Sequence, residues 1–128
     1  MNQAVDDTQV LVVDDDHDIR DTLRELLEIE GLRVVSAANG REALQRLRNG
    51  VRPDVILLDL MMPEMSGWEF RGEQLSDPCI ADIPVVLLSA TPDVRKTAHE
   101  LRAAGWVRKP FDLDELLELV QERSRKPE

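Results

Sequence analysis

Short aliphatic segments alternating with helical periodicity constrain the fold of this chain more than any other feature of its sequence. Most of these segments are continuous apolar runs, which is typical of strands covered on both faces. The amphipathic stretches between them predict helices, and this alternation predicts a parallel sheet with helices on both faces. The predicted strands span residues 10–13, 32–35, 55–58, 84–88 and 106–108.

Local signals predict where the helices begin and end. Gly31 is placed to end the first helix in a left-handed conformation, and Gly50 to close the second. Asp112 is the expected N-cap of the last helix, with Glu115 in the position of a capping-box partner. The third predicted helix has Gly72 in its middle, which lowers its helix propensity.

The length of 128 residues suits one domain with one hydrophobic core. We expect a single domain over residues 1–128, with its core at about 9–122 and frayed ends at 1–8 and about 124–128. The sequence shows no internal repeat and no linker. The chain has only four aromatic residues, so the core must be built mainly from aliphatic side chains.

The charge balance excludes several classes of function. The chain has 16 basic and 26 acidic residues, a net charge of −10. Direct binding to nucleic acid or to an anionic membrane is not expected, because both need clustered Lys and Arg. The single cysteine, Cys79, excludes an internal disulfide and a multi-cysteine zinc site. We expect a cytoplasmic protein without a signal peptide or a membrane span.

Polar residues follow the predicted strands directly, where each strand ends. Asp14 and Asp15 follow the first strand, Asp59 the third, Ser89 the fourth and Lys109 the fifth. Because ligands of open parallel sheets bind beyond the carboxyl ends of the strands, we expect these side chains to converge on one edge. Any one of them alone would more often be a turn or capping residue.

The chemistry of this set is specific. Three carboxylates in one shallow site repel each other, and a hard divalent cation such as Mg²⁺ resolves that repulsion. Lys109 adds a compact positive charge, and Ser89 adds a hydroxyl donor. A carboxylate beside such a cation, with an ammonium group and a hydroxyl aimed at it, is what formation of an aspartyl-phosphate requires.

Four stretches together make the sequence recognisable. They are VLVVDDDHDIR (10–20), PDVILLDLMMPEMSGWEF (53–70), IPVVLLSA (83–90) and VRKPF (107–111). Over about residues 9–122 the chain resembles the receiver domains of two-component response regulators. The resemblance implies an α/β, doubly wound (βα)5 flavodoxin-like three-layer sandwich, with a five-stranded parallel sheet in the order 2-1-3-4-5.

The resemblance also implies roles for the residues at the strand ends. Asp59 matches the phospho-accepting aspartate. Asp14 and Asp15 match the acidic pair that binds Mg²⁺, with Mn²⁺ as an alternative metal. Asp59 and the backbone carbonyl of Met61 match the remaining protein ligands of that metal.

Three further positions match the switch of the family. Ser89 matches the hydroxyl residue that turns to the phosphoryl group, and Lys109 matches the lysine that binds it. The peptide bond between Lys109 and Pro110 matches one that is cis in the family. Trp106 falls at the position of the switch aromatic, with plain packing as the alternative interpretation.

The function implied is phosphoryl transfer from a phosphohistidine, on a sensor histidine kinase or a histidine phosphotransfer protein, to Asp59. The phosphorylated form would switch a surface that binds a downstream protein target. Such a domain is no enzyme in the usual sense, although it catalyses its own phosphorylation and dephosphorylation. We expect a monomer or a weak homodimer, either free-standing or part of a larger regulator.

Two other functions stay open. A Mg²⁺-dependent aspartyl-phosphate phosphatase usually has a second Asp two residues after its nucleophile, and Met61 stands there in this chain. A phosphorylation-independent scaffold is the second alternative. A flavin-binding domain is disfavoured, because the first loop is acidic where a phosphate-binding loop is rich in Gly, Ser and Thr.

The chain also departs from the family pattern in two places, the connection before the fifth strand and position 106, where Trp is bulkier than the usual Tyr or Phe. The family carries a Gly-Ala-x-x-aromatic pattern before the fifth strand, and the run from Ala103 to Trp106 suggests a loop shortened by two or three residues. Trp68, at the start of the third helix, is predicted to be a packing residue. Asp16 is expected to be a helix N-cap and His17 a solvated surface residue.

Overall fold

A computed structural model describes residues 8–124. They form one parallel sheet in the strand order β2-β1-β3-β4-β5, which confirms the predicted architecture. Among these residues no helix combines the length and apolar character needed to cross a bilayer. The strands are β1 (Gln9–Val13), β2 (Arg33–Ala37), β3 (Val55–Asp59), β4 (Val85–Ser89) and β5 (Gly105–Arg108). The helices are α1 (His17–Ile29), α2 (Gly40–Arg48), α3 (Gly67–Leu75), α4 (Val94–Glu100) and α5 (Leu113–Arg123).

The sheet separates two apolar layers, because alternate side chains of each buried strand face opposite ways. Leu11 and Ile56 face the layer formed with α2, α3 and α4. Val10 and Leu57 face the layer formed with α1 and α5. Strands β1, β3 and β4 are therefore apolar on both faces, which explains their continuous aliphatic runs.

Strand register brings the polar residues to one edge. Val13 of β1 is paired with Leu58 of β3, so that Asp14 and Asp59 each follow a paired position. Ser89 at the end of β4 is paired with Arg108, the last residue of β5. The carboxyl ends of β1, β3, β4 and β5 therefore lie at one edge of the sheet, as predicted.

Several predicted helix ends are confirmed. Asp16 caps α1 by accepting hydrogen bonds from the amides of Asp18 and Ile19. Gly31 and Gly50 take positive φ values of 91° and 107°, a conformation that favours glycine. Asp112 caps α5 through the amides of residues 114 and 115.

A capping box stabilises the start of α3. Ser66 is its N-cap, and its hydroxyl accepts from the Glu69 amide while the Glu69 carboxylate accepts from the Ser66 amide. This capping box offsets the cost of the exposed Gly72. The prediction that Trp68 packs was wrong: it is 40% exposed, because it lies on the solvent side of the first turn.

The prediction of a shortened connection between α4 and β5 was also wrong. Arg102 has a φ of 56°, a left-handed conformation that favours glycine, and it occupies the glycine position of the Gly-Ala-x-x-aromatic pattern. Ala103, Ala104 and Gly105 then lead to Trp106 with the spacing of that pattern. The connection has lost the usual glycine and has kept its length.

Candidate functional site

Three carboxylates meet at the carboxyl edge of the sheet. Asp14, Asp15 and Asp59 each offer an oxygen, and these oxygens all lie within 4.8 Å of one another. Asp14 is fully buried and Asp59 is 5% exposed, whereas Asp15 faces solvent. The structure thus brings together the acidic residues that the strand ends predict.

Asp14 is the most firmly positioned member of the cluster. One carboxylate oxygen, Oδ1, accepts from the Asp16 amide at 2.9 Å. The other, Oδ2, accepts from Lys109 Nζ at 2.9 Å. The Arg20 guanidinium donates to the Asp14 backbone carbonyl at 2.7 Å. A buried carboxylate with both oxygens bonded has little freedom to turn away from the site.

Lys109 lies between the two buried carboxylates. Its Nζ is 2.9 Å from Asp14 Oδ2 and 3.5 Å from Asp59 Oδ1. Burial by itself lowers the pKa of Lys109, but the hydrogen bond and charge of Asp14, together with Asp59, raise the pKa above its ordinary value. The ammonium group therefore stays charged. The peptide bond that follows it, to Pro110, is cis as predicted.

The Asp59 carboxyl titrates close to neutrality. Burial, and then the negative charge of Asp14, raise its pKa from 3.8 to about 6. Lys109 and a hydrogen bond from the Met61 backbone oppose that rise. Asp59 is thus ionised at neutral pH while its negative charge is only partly compensated.

The loop after β3 is held close to Asp59 by a glycine that sequence reasoning did not single out. The Gly67 amide donates to the Leu60 carbonyl at 2.9 Å. A Cβ atom at position 67 would lie 2.7 Å from the Asp59 carbonyl oxygen. Only glycine fits there without a backbone shift, because the start of α3 packs directly on the end of β3.

Ser89 is buried and bonded to the loop that follows β4. Its Oγ lies 2.9 Å from Thr91 Oγ1 and accepts from the Thr91 amide at 3.1 Å. The Lys109 amide donates to the Ser89 carbonyl at 2.8 Å, which ties the ends of β4 and β5 together. The predicted switch hydroxyl therefore lies at the same edge as Lys109, in contact with the β4–α4 loop through Thr91.

Trp106 is partly buried against the layer of α2, α3 and α4. The guanidinium carbon of Arg108 lies 5.7 Å from the centroid of its ring, within cation–π range. Arg108 also donates to the Pro92 carbonyl at 2.9 Å, and Pro92 directly follows Thr91. Arg108 thus connects the β4–α4 loop to the indole, a role that no local sequence signal indicates.

The remaining polar candidates lie outside the site. His17 has a side chain that is 72% exposed and pairs with Asp21 at 3.1 Å, as expected for a surface residue. Cys79 is exposed. The site is therefore an oxygen-rich cluster with one partly buried ammonium group and one buried hydroxyl, suited to a hard cation and a phosphoryl group.

Comparison with known proteins agrees with this chemistry. The sequence matches the response regulator receiver domain family over residues 10–121. The chain belongs to this family.

Two curated relatives show the extent of the match. The regulatory protein AtoC of Escherichia coli is 38% identical over 115 residues, which cover 88% of this chain and 24% of that protein. The response regulator MprA of Mycolicibacterium vanbaalenii is 39% identical over 111 residues, which cover 85% of this chain and 47% of that protein. The chain thus spans less than half the length of these relatives.

Solved structures are similar along almost their whole length. The chemotaxis protein CheY4 of Vibrio cholerae has a TM-score of 0.83 and 33% identity, over 92% of this chain and 99% of that chain. The response regulator TrrA of Thermotoga maritima, solved in complex with Mg²⁺ and BeF, has a TM-score of 0.79 and 37% identity. This match covers 90% of the present chain and 97% of the TrrA chain.

The raised pKa of Asp59 predicts how stability depends on pH without added metal. Above pH 7 the buried charge destabilises the folded protein by about 2–3 kcal/mol relative to an ordinary carboxylate. As pH falls through 6 the folded state takes up a proton before the unfolded state does, and this penalty disappears. Asp59→Asn is therefore more stable than the parent in urea unfolding at pH 8, with a difference that shrinks between pH 7 and pH 4.

Glu25→Gln, on the exposed face of α1, is the matched control and leaves the pH profile unchanged. A gap between Asp59→Asn and the parent that is constant across this pH range would contradict the assignment of the titration to Asp59.

Proposed function

We propose that this receiver domain accepts a phosphoryl group on Asp59 from the phosphohistidine of a sensor histidine kinase or of a histidine phosphotransfer protein. The observation that carries the proposal is the position of Asp59. It lies at the end of β3, 3.5 Å from the Lys109 ammonium group and within 4.8 Å of the other two carboxylates.

The donor set fits a divalent metal. Asp14, Asp15 and Asp59 supply hard oxygen ligands of the kind that Mg²⁺ prefers, and the Met61 carbonyl is the proposed fourth protein ligand. Mn²⁺ accepts the same ligands. When bound, the metal supplies positive charge that neutralises phosphoryl oxygens. The complex of the Thermotoga relative with Mg²⁺ and BeF supports this assignment.

The proposed transfer uses three side chains. A carboxylate oxygen of Asp59 attacks phosphorus, the new O–P bond forms as the P–N bond to the donor imidazole breaks, and the imidazole keeps the electron pair and takes up a proton. Lys109 Nζ binds a phosphoryl oxygen, and the Ser89 hydroxyl donates to another. Because the pKa of Asp59 is about 6, its carboxylate is ionised and ready to attack at neutral pH.

The two alternatives have less support. A phosphatase that turns over substrates needs an acid near the nucleophile, and Met61, which stands at that position, has no proton to give. A phosphorylation-independent scaffold would gain nothing from keeping two buried carboxylates against one partly buried ammonium group. We propose that hydrolysis of the phosphoryl group by the domain itself resets the switch.

We propose that the output is a contact with a downstream protein at the surface formed by α4, β5 and α5. Trp106 belongs to β5 of this surface, and Arg108 links the indole to the loop after Ser89. Net charge of −10 disfavours direct contact with nucleic acid. The proposed oligomeric state is a monomer or a weak homodimer, and the proposed location is the cytoplasm, where the kinase would act.

Loss of the acceptor carboxylate abolishes labelling. With Mg²⁺ and acetyl phosphate, the parent protein gains one phosphoryl group, which reductive trapping followed by peptide mass spectrometry locates on Asp59. Asp59→Asn is not labelled, because an amide is a poor nucleophile for phosphorus. Asp54→Asn, which removes a carboxylate that precedes β3 and accepts from the Gln9 amide, is labelled like the parent. Undiminished labelling of Asp59→Asn would rule out this acceptor.

Trp106 reports on the switch. We expect Mg²⁺ and beryllofluoride, a phosphoryl mimic, to change the tryptophan emission, because recruitment of Ser89 breaks its bonds to Thr91 and disturbs the loop that Arg108 ties to the indole. The change persists in Trp68→Phe and disappears in Trp106→Phe. If the change follows Trp68 instead, Trp106 is a fixed packing residue and the signal takes another route.

A further inference from the structure

Two polar side chains occupy the buried stripe of α3, where apolar residues are expected. The stripe consists of Gly67, Phe70, Arg71 and Gln74. Arg71 is 5% exposed and Gln74 is fully buried. Burying a guanidinium and an amide destabilises the fold unless their N–H groups are hydrogen-bonded, so both side chains are expected to have buried acceptors.

Arg71 binds the end of α4. Its Nε donates to the Leu101 carbonyl at 3.0 Å, and its Nη2 donates to the Arg102 carbonyl at 2.9 Å. Leu101 is the C-cap of α4, so these carbonyls belong to the helix end that has no partners of its own. The cation also complements the negative end of the helix dipole. Burial, and then the charge of Arg102, lower the pKa of Arg71, yet a guanidinium stays charged at neutral pH.

Gln74 holds Arg71 in place and fastens a second segment. Its Oε1 accepts from Arg71 Nη1 at 2.7 Å. Its amide nitrogen donates to the carbonyls of Ile80 and Ile83 at 2.9 and 3.0 Å, in the connection that leads to β4. One rigid pair therefore binds four backbone carbonyls. We call Arg71, Gln74 and the carbonyls of Leu101 and Arg102 the α3–α4 anchor.

The other end of α4 is held differently. Its N-cap, Asp93, makes no side-chain capping hydrogen bond, and the carbonyl of the preceding Pro92 accepts from Arg108. The loop before it contacts the site through Thr91, which is bonded to Ser89. The α4 helix is thus fastened at its carboxyl end to α3, while its amino end follows the loop that meets the switch hydroxyl.

From this asymmetry we propose that Arg71, held by Gln74, is a positioning residue that fixes the carboxyl end of α4 as a pivot, so that phosphorylation moves the amino end of the helix about it. The inference rests on the proposed function, since Ser89 supplies the displacement. The anchor confines that displacement to the β4–α4 loop, to Arg108 and to the indole of Trp106. Without the anchor the same displacement spreads over both ends of α4.

Hydrogen exchange of the full chain, with and without Mg²⁺ and beryllofluoride, tests this directly. In the parent we expect the ligand to change exchange in residues 90–97 by about fivefold or more. Residues 100–105 should change by less than about twofold. In Arg71→Met the second segment should respond as strongly as the first, whereas the exposed-surface control Arg41→Met should match the parent. Arg71→Lys keeps the charge but loses the several fixed N–H donors of the guanidinium. At residues 100–105 it should respond to the ligand more than the parent and less than Arg71→Met.

A merely structural Arg71 would raise exchange at 100–105 in the variant to the same extent with and without the ligand, and that result overturns the proposal. So does a parent in which both ends of α4 respond equally, a comparison that needs no variant and holds even if Arg71→Met does not fold. Absence of any ligand response at residues 57–61, together with absence of labelling of Asp59, would overturn the proposed function and the inference with it. Normal labelling with equal responses at both ends overturns the inference alone.

Discussion

The Lys109 ammonium group lies between two buried carboxylates. Its single positive charge does not balance the negative charges of Asp14, Asp15 and Asp59, and the properties of the carboxyl edge depend on this excess negative charge. Asp14 uses one oxygen to hold Lys109 and the other to accept from the first turn beyond β1. Asp59 and Asp15 remain close to it, with one partly buried cation among three carboxylates. Such a cluster destabilises the folded chain until a cation or a proton enters it. A cation that binds at this edge would relieve the repulsion among the carboxylates, so the same repulsion that destabilises the folded chain favours cation binding.

The two apolar layers of the parallel sheet stabilise the fold against the repulsion at this edge. Strands that are apolar on both faces form two continuous layers, so that the polar side chains of the site lie at the last strand positions and in the loops of one edge. Two networks then lead away from that end. One runs from Ser89 through Thr91 and the neighbouring Pro92 to Arg108 and Trp106, and the other fastens α4 to α3 through Arg71. The first can move, and the second limits where it moves.

Sequence reasoning predicted the fold and the clustering of the carboxylates, because both follow from local patterns: aliphatic runs, and a polar residue directly after each run. It did not predict Arg71, Gln74 or Arg108, because their partners lie in distant segments and a single charged residue in a helix gives no signal of burial. It placed Trp68 wrongly, since an aromatic side chain on a first turn can face either way. It interpreted a missing glycine as missing length, because sequence alone does not reveal that Arg102 adopts a left-handed conformation.

The central claim is that the acidic cluster is a metal-binding phosphorylation site whose apo form is electrostatically strained. Thermal unfolding of the parent and of Asp15→Asn over a titration of Mg²⁺ tests it most directly. The account predicts that millimolar Mg²⁺ raises the melting temperature of the parent progressively, as expected for a ligand that binds only the folded state. Asp15→Asn, which removes the exposed carboxylate of the cluster and relieves repulsion, should melt higher than the parent without metal and respond little to Mg²⁺. A parent whose melting temperature is the same with and without millimolar Mg²⁺ would contradict the account.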